Sequence, residues 1–220
     1  MKGDRIAVHI LSMQLIPNLS SGLRRELGID SQWRAIGLIS SDCDDATYLA
    51  LDEATKAANV EVVYAKSMYA GAANASTRLA GEVIGVLAGP TPDEVESGLR
   101  AAADFLHNGV GFRSADAQDS VVYLSHCVSG SGSYLSGMAH IPAGQALAYL
   151  VAPPVEALIG LDAALKASDV EMKVYFAPPT ETNFSGGLLT GTQSACEAAC
   201  EAFSRAVEAV AEVPIKLGGM

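Results

Sequence analysis

The chain has 220 residues, half of them apolar, and its 14 Lys and Arg are outnumbered by 25 Asp and Glu, which gives a formal net charge of −11. The apolar content excludes a disordered chain, and no run reaches the ~20 apolar residues that a membrane-spanning helix needs. The acidic balance argues against nucleic acid or an anionic membrane as the main partner, because both are bound through Lys and Arg. We therefore expect a soluble, intracellular globular protein with one large domain or two smaller ones.

The N-terminal stretch IAVHILSMQLIP is apolar but is interrupted by Ser12 and Gln14, and no small-residue cleavage site follows it. These features favour a strand over a signal peptide. The cysteines are scattered in a chain too large to need disulfides, which predicts a reducing environment; they are Cys43, Cys127, Cys196 and Cys200.

The predicted elements occur twice in the same order. In the first half they are a strand, a short helix or turn, a strand, a helix, two strands and a closing helix: Arg5–Gln14, Ser20–Leu27, Trp33–Ser40, Asp45–Ala58, Val60–Ala65, Gly81–Ala88 and Pro92–His107. The second half repeats this order: Ser120–Cys127, Gly130–Met138, Leu147–Ala152, Pro154–Ser168, Val170–Phe176, Gly186–Thr190 and Gln193–Ala211. The helices are predicted from apolar residues at helical spacing, and the strands from β-branched runs.

The order of elements reflects an internal repeat in the sequence itself. DEATKAANVEVVY begins at Asp52 and aligns with DAALKASDVEMKVY, which begins at Asp162, half a chain length further on. A repeat of this length with two copies indicates a tandem duplication rather than a solenoid. We predict an α+β fold of two domains, residues 1–110 and 111–220, joined near Gly109–Gln118. Each domain has a sheet of about four strands with packed helices. Such a fused pair can replace a dimer within a symmetric ring.

Several segments in order carry a family resemblance: ALDEATKAANVEVVY, LAGEVIGVLAGP, YLVAPPVEALIGLDAALK and FAPPTETNFSGGLLTGTQSACEAAC. They closely resemble the tandem-domain, circularly permuted shell proteins of bacterial microcompartments, in particular those of ethanolamine utilisation. The resemblance implies two permuted microcompartment (ferredoxin-like) domains and a homotrimer that looks hexagonal. It also implies that the trimer tiles shell facets with other shell proteins, inside a compartment in the bacterial cytoplasm. Such a protein catalyses nothing, holds no cofactor and passes metabolites or larger cofactors through pores.

An acidic cluster lies between a predicted strand and the helix that follows it. Asp42, Asp44 and Asp45 could cap that helix or suit its dipole, with Asp45 as the preferred capping residue. Three carboxylates exceed what one cap needs, and the excess could attract a cation. The family resemblance implies that Asp44 and Glu82, with Asp45 beside them, line a small pore. There they would bind the ammonium of ethanolamine with help from the backbone carbonyl of Phe112. The cluster lacks the glycine and terminal glutamate of a calcium loop, so a metal site there is possible but under-specified, and we predict none.

Two loops occupy corresponding places in the halves, and each could be an ordinary surface connection. The family resemblance implies instead that they line a central pore on the symmetry axis. The pore residues are Tyr69, Ala70, Gly71, Ala72, Ala73, Asn74 and Ala75 in the first loop, and Thr180, Glu181, Thr182, Asn183 and Phe184 in the second. The first loop is long and rich in small residues. The second is shorter and is stiffened by the two prolines that precede it, Pro178 and Pro179. We therefore predict that this pore opens and closes through the first loop.

No catalytic constellation emerges from the spacing of residues. Cys196 and Cys200 share one helix face, which is typical of buried small side chains. His126 and Cys127 are neighbours on a strand and so point to opposite faces. Three hypotheses remain: a trimeric shell tile with pores, an amine-binding regulatory protein on the same duplicated fold, and, least supported, an enzyme using Asp44, Glu82 and a histidine, with or without a metal.

Overall fold

A computed structural model of the chain describes residues 1–68 and 79–215. The helices in these ranges are α1 (Ser21–Glu26), α2 (Asp44–Ala57), α3 (Pro92–Asn108), α4 (Ser133–Ala139), α5 (Pro154–Ala167) and α6 (Gln193–Glu212). The strands are β1 (Ile10–Ile16), β2 (Ala35–Ser41), β3 (Glu61–Ser67), β4 (Val83–Gly89), β5 (Arg113–Ser114), β6 (Val122–Val128), β7 (Ala146–Ala152), β8 (Val170–Phe176) and β9 (Ser185–Gly191). No helix in the described ranges is both long enough and apolar enough to span a bilayer.

The chain forms two compact units, and each unit takes a short segment from the other half of the sequence. The N-terminal unit consists of Ala7–Gly111 and Ser131–Met138. The C-terminal unit consists of Met1–Ile6, Phe112–Gly130 and the chain from Ala139 onward. Helix α4 therefore belongs to the N-terminal unit, although the sequence places it in the second half.

The N-terminal unit is built on an antiparallel sheet with strand order β1-β2-β4-β3. Helix α3 lies close against β2, because a Cβ on Gly37 would fall 2.8 Å from side-chain atoms of Val95 and Leu99. Beyond this contact, a cluster of buried apolar side chains comes from Leu19, Ile29, Ile36, Val86 and Ala88. A small residue at position 37 therefore sets the distance between helix and sheet.

The C-terminal unit has the strand order β5-β6-β7-β9-β8. All seven residues of β7 are buried, as expected for the central strand of a covered sheet. Phe203 of α6 is fully buried and occupies the place that a Cβ on Gly160 of α5 would need, with ring atoms within 2.7 Å of that position. The two long helices of this unit thus meet through one glycine and one aromatic ring.

The predicted α+β architecture of two tandem domains is confirmed, and most element bounds fall within two residues of the prediction. The predicted start of β1 was wrong, because the strand begins at Ile10 rather than Arg5. Ile6 is not part of this sheet: its N–H donates to the carbonyl of Phe112 at 2.8 Å, within the C-terminal unit. The two-residue strand β5 was not predicted. Thr91 and Thr192 cap α3 and α6 by accepting from Glu94 and Ala195 backbone N–H groups.

Candidate functional site

The acidic cluster lies at one end of the N-terminal sheet, where three strands are in register. Val83 of β4 pairs with Ser41 on one side and with Ser67 on the other. Just beyond this line, the N–H of Glu82 donates to the carbonyl of Ser41 at 2.8 Å, and the carbonyl of Glu82 accepts from the N–H of Met68 at 2.6 Å. The backbone of Glu82 is therefore fixed from both neighbouring strands.

Gly81 makes this position of Glu82 possible. Its φ is +65°, and a Cβ there would fall 2.3 Å from the hydroxyl of Ser40 and 2.6 Å from the carbonyl of Ser41. An L side chain is disfavoured by both the backbone conformation and the lack of space. The turn into β4 consequently requires glycine.

Helix α2 begins at Asp44, one residue earlier than predicted, and its N-cap residue is Cys43. The Cys43 side chain makes no capping bond. The backbone N–H of Cys43 donates to the Ser41 hydroxyl at 3.0 Å. The prediction that Asp45 caps the helix is therefore wrong. Asp44 and Asp45 lie in the first turn, only 6% and 8% exposed, where their charge suits the helix dipole.

The Asp44 carboxylate is held by groups from two elements. Its Oδ1 accepts from the Asp45 N–H at 2.8 Å, and its Oδ2 accepts from the Ser67 hydroxyl at 2.7 Å. The Ser67 hydroxyl is in turn 2.5 Å from the Tyr48 hydroxyl. The end of β3 and the second turn of α2 thus orient a carboxylate at the start of that helix.

Nearby carboxylates affect the pKa of the Cys43 thiol. Burial raises the pKa of this thiol well above its ordinary value, and the negative charges of Asp45, Asp44 and Glu82 raise it further. The structure therefore places all three predicted residues near the Cys43 thiol. A partly buried group of carboxylates disfavours anions and favours a cation.

Asp42, the remaining acidic residue of the cluster, has a different role. Its Oδ1 accepts from the His9 backbone N–H at 2.8 Å, and its Oδ2 lies 2.7 Å from the His9 Nδ1. It therefore ties the chain before β1 to the end of β2.

Phe112 belongs to the C-terminal unit, so its part in the predicted site remains a prediction. Its carbonyl accepts the N–H of Ile6, and its ring lies 5.2 Å from the ring of Phe184, measured between centroids. Both contacts lie within that unit.

The corresponding positions of the second half carry no carboxylates. Helix α5 begins at Pro154 and Val155 where α2 begins at Asp44 and Asp45. Phe184 precedes β9 as Glu82 precedes β4. Within residues 1–68 and 79–215, the two halves therefore share the fold, but the acidic cluster belongs to the first half alone.

Of the two predicted pore loops, only the second can be described, since Tyr69–Ala75 lie outside the described residues. In the second loop the Thr180 N–H donates to the Phe184 carbonyl at 3.1 Å, and the Phe184 N–H donates to the Thr180 hydroxyl at 3.1 Å. Asn183 has a φ of +64°, and Glu181 and Asn183 are exposed. The loop is therefore a closed hairpin that presents one carboxylate and one amide to solvent.

The thiols of the C-terminal unit are not suited to catalysis. Burial raises the pKa of Cys127 to about 11 and that of Cys200 to about 12, so both are protonated near neutral pH. Cys196 and Cys200 both face the core, as predicted from their spacing. Within residues 1–68 and 79–215, no group of three His, Cys, Asp or Glu side chains could hold a metal ion.

Sequence reasoning missed the residues that orient Asp44. Tyr48 and Ser67 are separated from each other by a helix and most of a strand, and no local pattern marks either one. Ser41, which satisfies the N–H of Cys43, is an ordinary strand residue in the sequence.

Comparisons with known proteins identify the family and the fold of the chain. The BMC domain family model matches residues 35–115. The chain is 62% identical to the bacterial microcompartment shell protein EutL of Clostridium perfringens, over 98% of this chain and 99% of that one. It is 50% identical to EutL of Escherichia coli, over 97% of each. The crystal structure of the ethanolamine utilization protein EutL from Leptotrichia buccalis superposes with a TM-score of 0.97 at 58% identity, covering 99% of this chain and 100% of that one.

These relatives are structural shell proteins and not enzymes, which supports the first of the three hypotheses drawn from the sequence. The matches extend over nearly the whole length of both partners, so they concern the entire two-unit chain. The chain belongs to the EutL family of bacterial microcompartment shell proteins.

Proposed function

We propose that this shell protein is a homotrimeric, pseudohexameric tile of an ethanolamine-utilising microcompartment, with one small acidic pore per chain and a gated central pore. The repeated domains are residues 1–110 and 111–220. The observation that carries the small pore is that Ser67 binds the Asp44 carboxylate while its neighbour Met68 binds the carbonyl of Glu82, beside Asp45 in the first turn of α2. The substrate assignment is supported by the name of the Leptotrichia relative, which refers to ethanolamine utilization.

The chemistry of the cluster matches a primary ammonium. Such a group has three N–H donors and no acceptor, so carboxylate and carbonyl oxygens are its complement. The Asp44 carboxylate is oriented by the Ser67 hydroxyl, which limits the side-chain freedom that Asp44 loses on binding, and the backbone bonds of Glu82 fix the position of its main chain. The carbonyl of Phe112 would supply a further acceptor, as the family resemblance implies.

The central pore is proposed on the hairpin formed by Thr180–Phe184, with loop residues Tyr69–Ala75 as the moving part. Exposed Glu181 and Asn183 would give the pore a polar, acidic rim. Removing residues 70–76 should make the centre more permissive to solutes. Unchanged solute passage through sheets of the shortened protein would contradict the gate.

The amine site is tested by calorimetry with ethanolamine and the double variant Asp44→Asn, Glu82→Gln. Each lost carboxylate should reduce affinity about ten-fold or more, since hydrogen bonds to charged groups contribute about 1.5–3 kcal/mol. The solution mass should remain that of a trimer. The matched control is Asp169→Asn with Glu171→Gln, two exposed carboxylates of the other half, which should leave the affinity unchanged. Equal affinity in the wild type and the Asp44, Glu82 variant would refute the site.

A further inference from the structure

Two hydroxyl groups in series bind the Asp44 carboxylate. Ser67 donates its hydroxyl hydrogen to Asp44 Oδ2 at 2.7 Å, and the Ser67 oxygen lies 2.5 Å from the Tyr48 hydroxyl. A hydroxyl has one hydrogen to donate, and an ionised carboxylate only accepts. Because Ser67 gives its hydrogen to Asp44, the Tyr48 hydroxyl is the donor in the second bond. The hydrogen bonds therefore run in one direction, from Tyr48 through Ser67 to the carboxylate.

Both hydroxyl-bearing residues lie on elements with fixed neighbours. Tyr48 follows Asp44 by four residues on α2, so their side chains share one face of the helix. The Tyr48 ring lies 6.2 Å from the ring of Tyr134, measured between centroids. Ser67 is the last residue of β3 and pairs with Val83 of β4. The orientation of the carboxylate thus depends on a helix, a strand and a second aromatic ring.

The segment that carries Tyr134 is itself anchored on α2. The Asp52 carboxylate of α2 accepts from the N–H of Gly132 at 2.6 Å and from the N–H of Leu135 at 2.8 Å. Leu135 is completely buried, so the segment is closely packed. Tyr134 therefore supports the Tyr48 ring from a fixed backbone.

The internal repeat shows what the same helix carries where no acidic cluster exists. Helices α2 and α5 have fourteen residues each, so residue n of α2 corresponds to residue n + 110 of α5. Leu158 therefore takes the place of Tyr48, as Pro154 takes the place of Asp44. The carboxylate and the phenol hydroxyl are replaced together by apolar side chains.

The strand position of the second half has changed in the same way. Phe176 of β8 pairs with the second residue of β9, as Lys66 of β3 pairs with the second residue of β4. The next residue, Ala177, therefore takes the place of Ser67. Both hydroxyls occur in the half that has the carboxylate and are replaced in the half that lacks it, although the two halves share the fold. This association favours a role at the acidic cluster over a general role in folding.

An oriented carboxylate has a specific advantage for a ligand with N–H groups. Hydrogen bonds are directional, so a carboxylate that rotates freely must be ordered by the ligand, and this ordering reduces affinity. Asp44 Oδ1 is also held, by the N–H of Asp45 at 2.8 Å. With both oxygens held, the remaining lone pairs keep fixed directions, which suits a primary ammonium.

We infer that Ser67 and Tyr48 are positioning residues of the amine site, holding the Asp44 carboxylate in the orientation in which it accepts N–H groups of the ammonium. The inference rests on the proposed function and deepens it, because it adds to the site two residues that act through Asp44.

Calorimetry with ethanolamine tests this role. Ser67→Ala should weaken binding about three- to ten-fold, the range expected when one side chain must be ordered on binding. The fold accommodates alanine here, since the second half has it at the corresponding position. Tyr48→Phe keeps the ring and removes only the hydroxyl, and it should weaken binding at least about two-fold. Ser67→Thr keeps a hydroxyl and should restore the affinity of the wild type.

The matched control is Tyr64→Phe. It removes a hydroxyl from a tyrosine of β3 that is 41% exposed, and it should leave the affinity unchanged. A loss of affinity in this control equal to that of Tyr48→Phe would contradict a specific role for Tyr48.

A double-mutant cycle separates positioning from a general structural defect. In an Asp44→Ala background no carboxylate remains to be oriented, so adding Ser67→Ala should cause no further loss of affinity. If Ser67→Ala weakens binding by the same factor in both backgrounds, it does not act through Asp44 and the inference is wrong.

The outcomes distinguish this inference from the proposed function. If the wild type binds ethanolamine and both Ser67→Ala and Tyr48→Phe bind it equally well or more tightly, the positioning role is wrong and the amine site stands. If the wild type does not bind ethanolamine, both are wrong.

Discussion

Substituting alanine for Gly132 should destabilise the protein markedly, whereas the same change five residues later should not. Gly132 lies where α4 meets α2, and its new Cβ would fall 2.3 Å from the Thr55 hydroxyl and 2.5 Å from the Asp52 carbonyl. Neither group can simply rotate away, because the Thr55 hydroxyl is bonded to that same carbonyl at 2.8 Å and accepts from Ser133. The segment must therefore shift.

The magnitude follows from two contributions. Overpacking costs about 1–3 kcal/mol, and moving the Gly132 N–H away from the buried Asp52 carboxylate adds about 1–3 kcal/mol. We expect a total loss of about 2–6 kcal/mol. Gly137 is exposed, with nothing within 4 Å of its Cβ position, so alanine there should stabilise the helix by up to about 1 kcal/mol.

The comparison is made by urea unfolding followed by circular dichroism. Both substitutions remove the same glycine freedom from the unfolded chain, so the difference between them isolates the fit of position 132. If the midpoints for Gly132→Ala and Gly137→Ala coincide, the close docking of α4 on α2 is refuted.

Three further predictions concern single residues. Burial raises the pKa of Asp52 in the folded state above its unfolded value. The stability of the wild type relative to Asp52→Asn should therefore rise as pH falls through the folded-state pKa. If urea unfolding shows this relative stability decreasing instead, burial is not the dominant cause of the shift. Hydrogen bonds from Ser120, first among them that of its hydroxyl, lower the pKa of Asp116 to about 2. Asp116→Asn should therefore destabilise the protein above pH 4, and this destabilisation should disappear as pH falls to about 2. Thermal unfolding of both proteins at the two pH values tests this, and an equal difference in melting temperature at both would contradict it. Gly81→Ala should cost at least about 1–3 kcal/mol more than Gly28→Ala, since both have φ of +65° but only Gly81 lacks space; equal melting temperatures would refute the steric argument.

The sequence predicted the architecture because apolar spacing and the repeat are local signals. Periodicity gave the long helices almost to the residue, and the start of α6 at Gln193 was correct. The exchange of segments between the units was not predictable, since it depends on the hydrogen bond from Ile6 to Phe112 and on the burial of Leu135, and not on the local pattern of either residue.

The candidate site was predicted only in part, and mainly through family resemblance. Clustering of carboxylates in the sequence indicated Asp44 and Asp45, but Glu82 is brought to them by strand pairing across β4. The assignment of Asp45 as a cap failed because the helix begins one residue earlier than predicted, at Asp44, which makes Cys43 the N-cap residue and places Asp45 inside the first turn. Long-range pairing such as that of β4 leaves no trace in local spacing.

The mass of the purified protein in solution, by light scattering after size exclusion, tests the central claim most directly. The proposed tile predicts three times the 22.7 kDa of one chain. A monomer or a dimer would contradict the pseudohexameric ring.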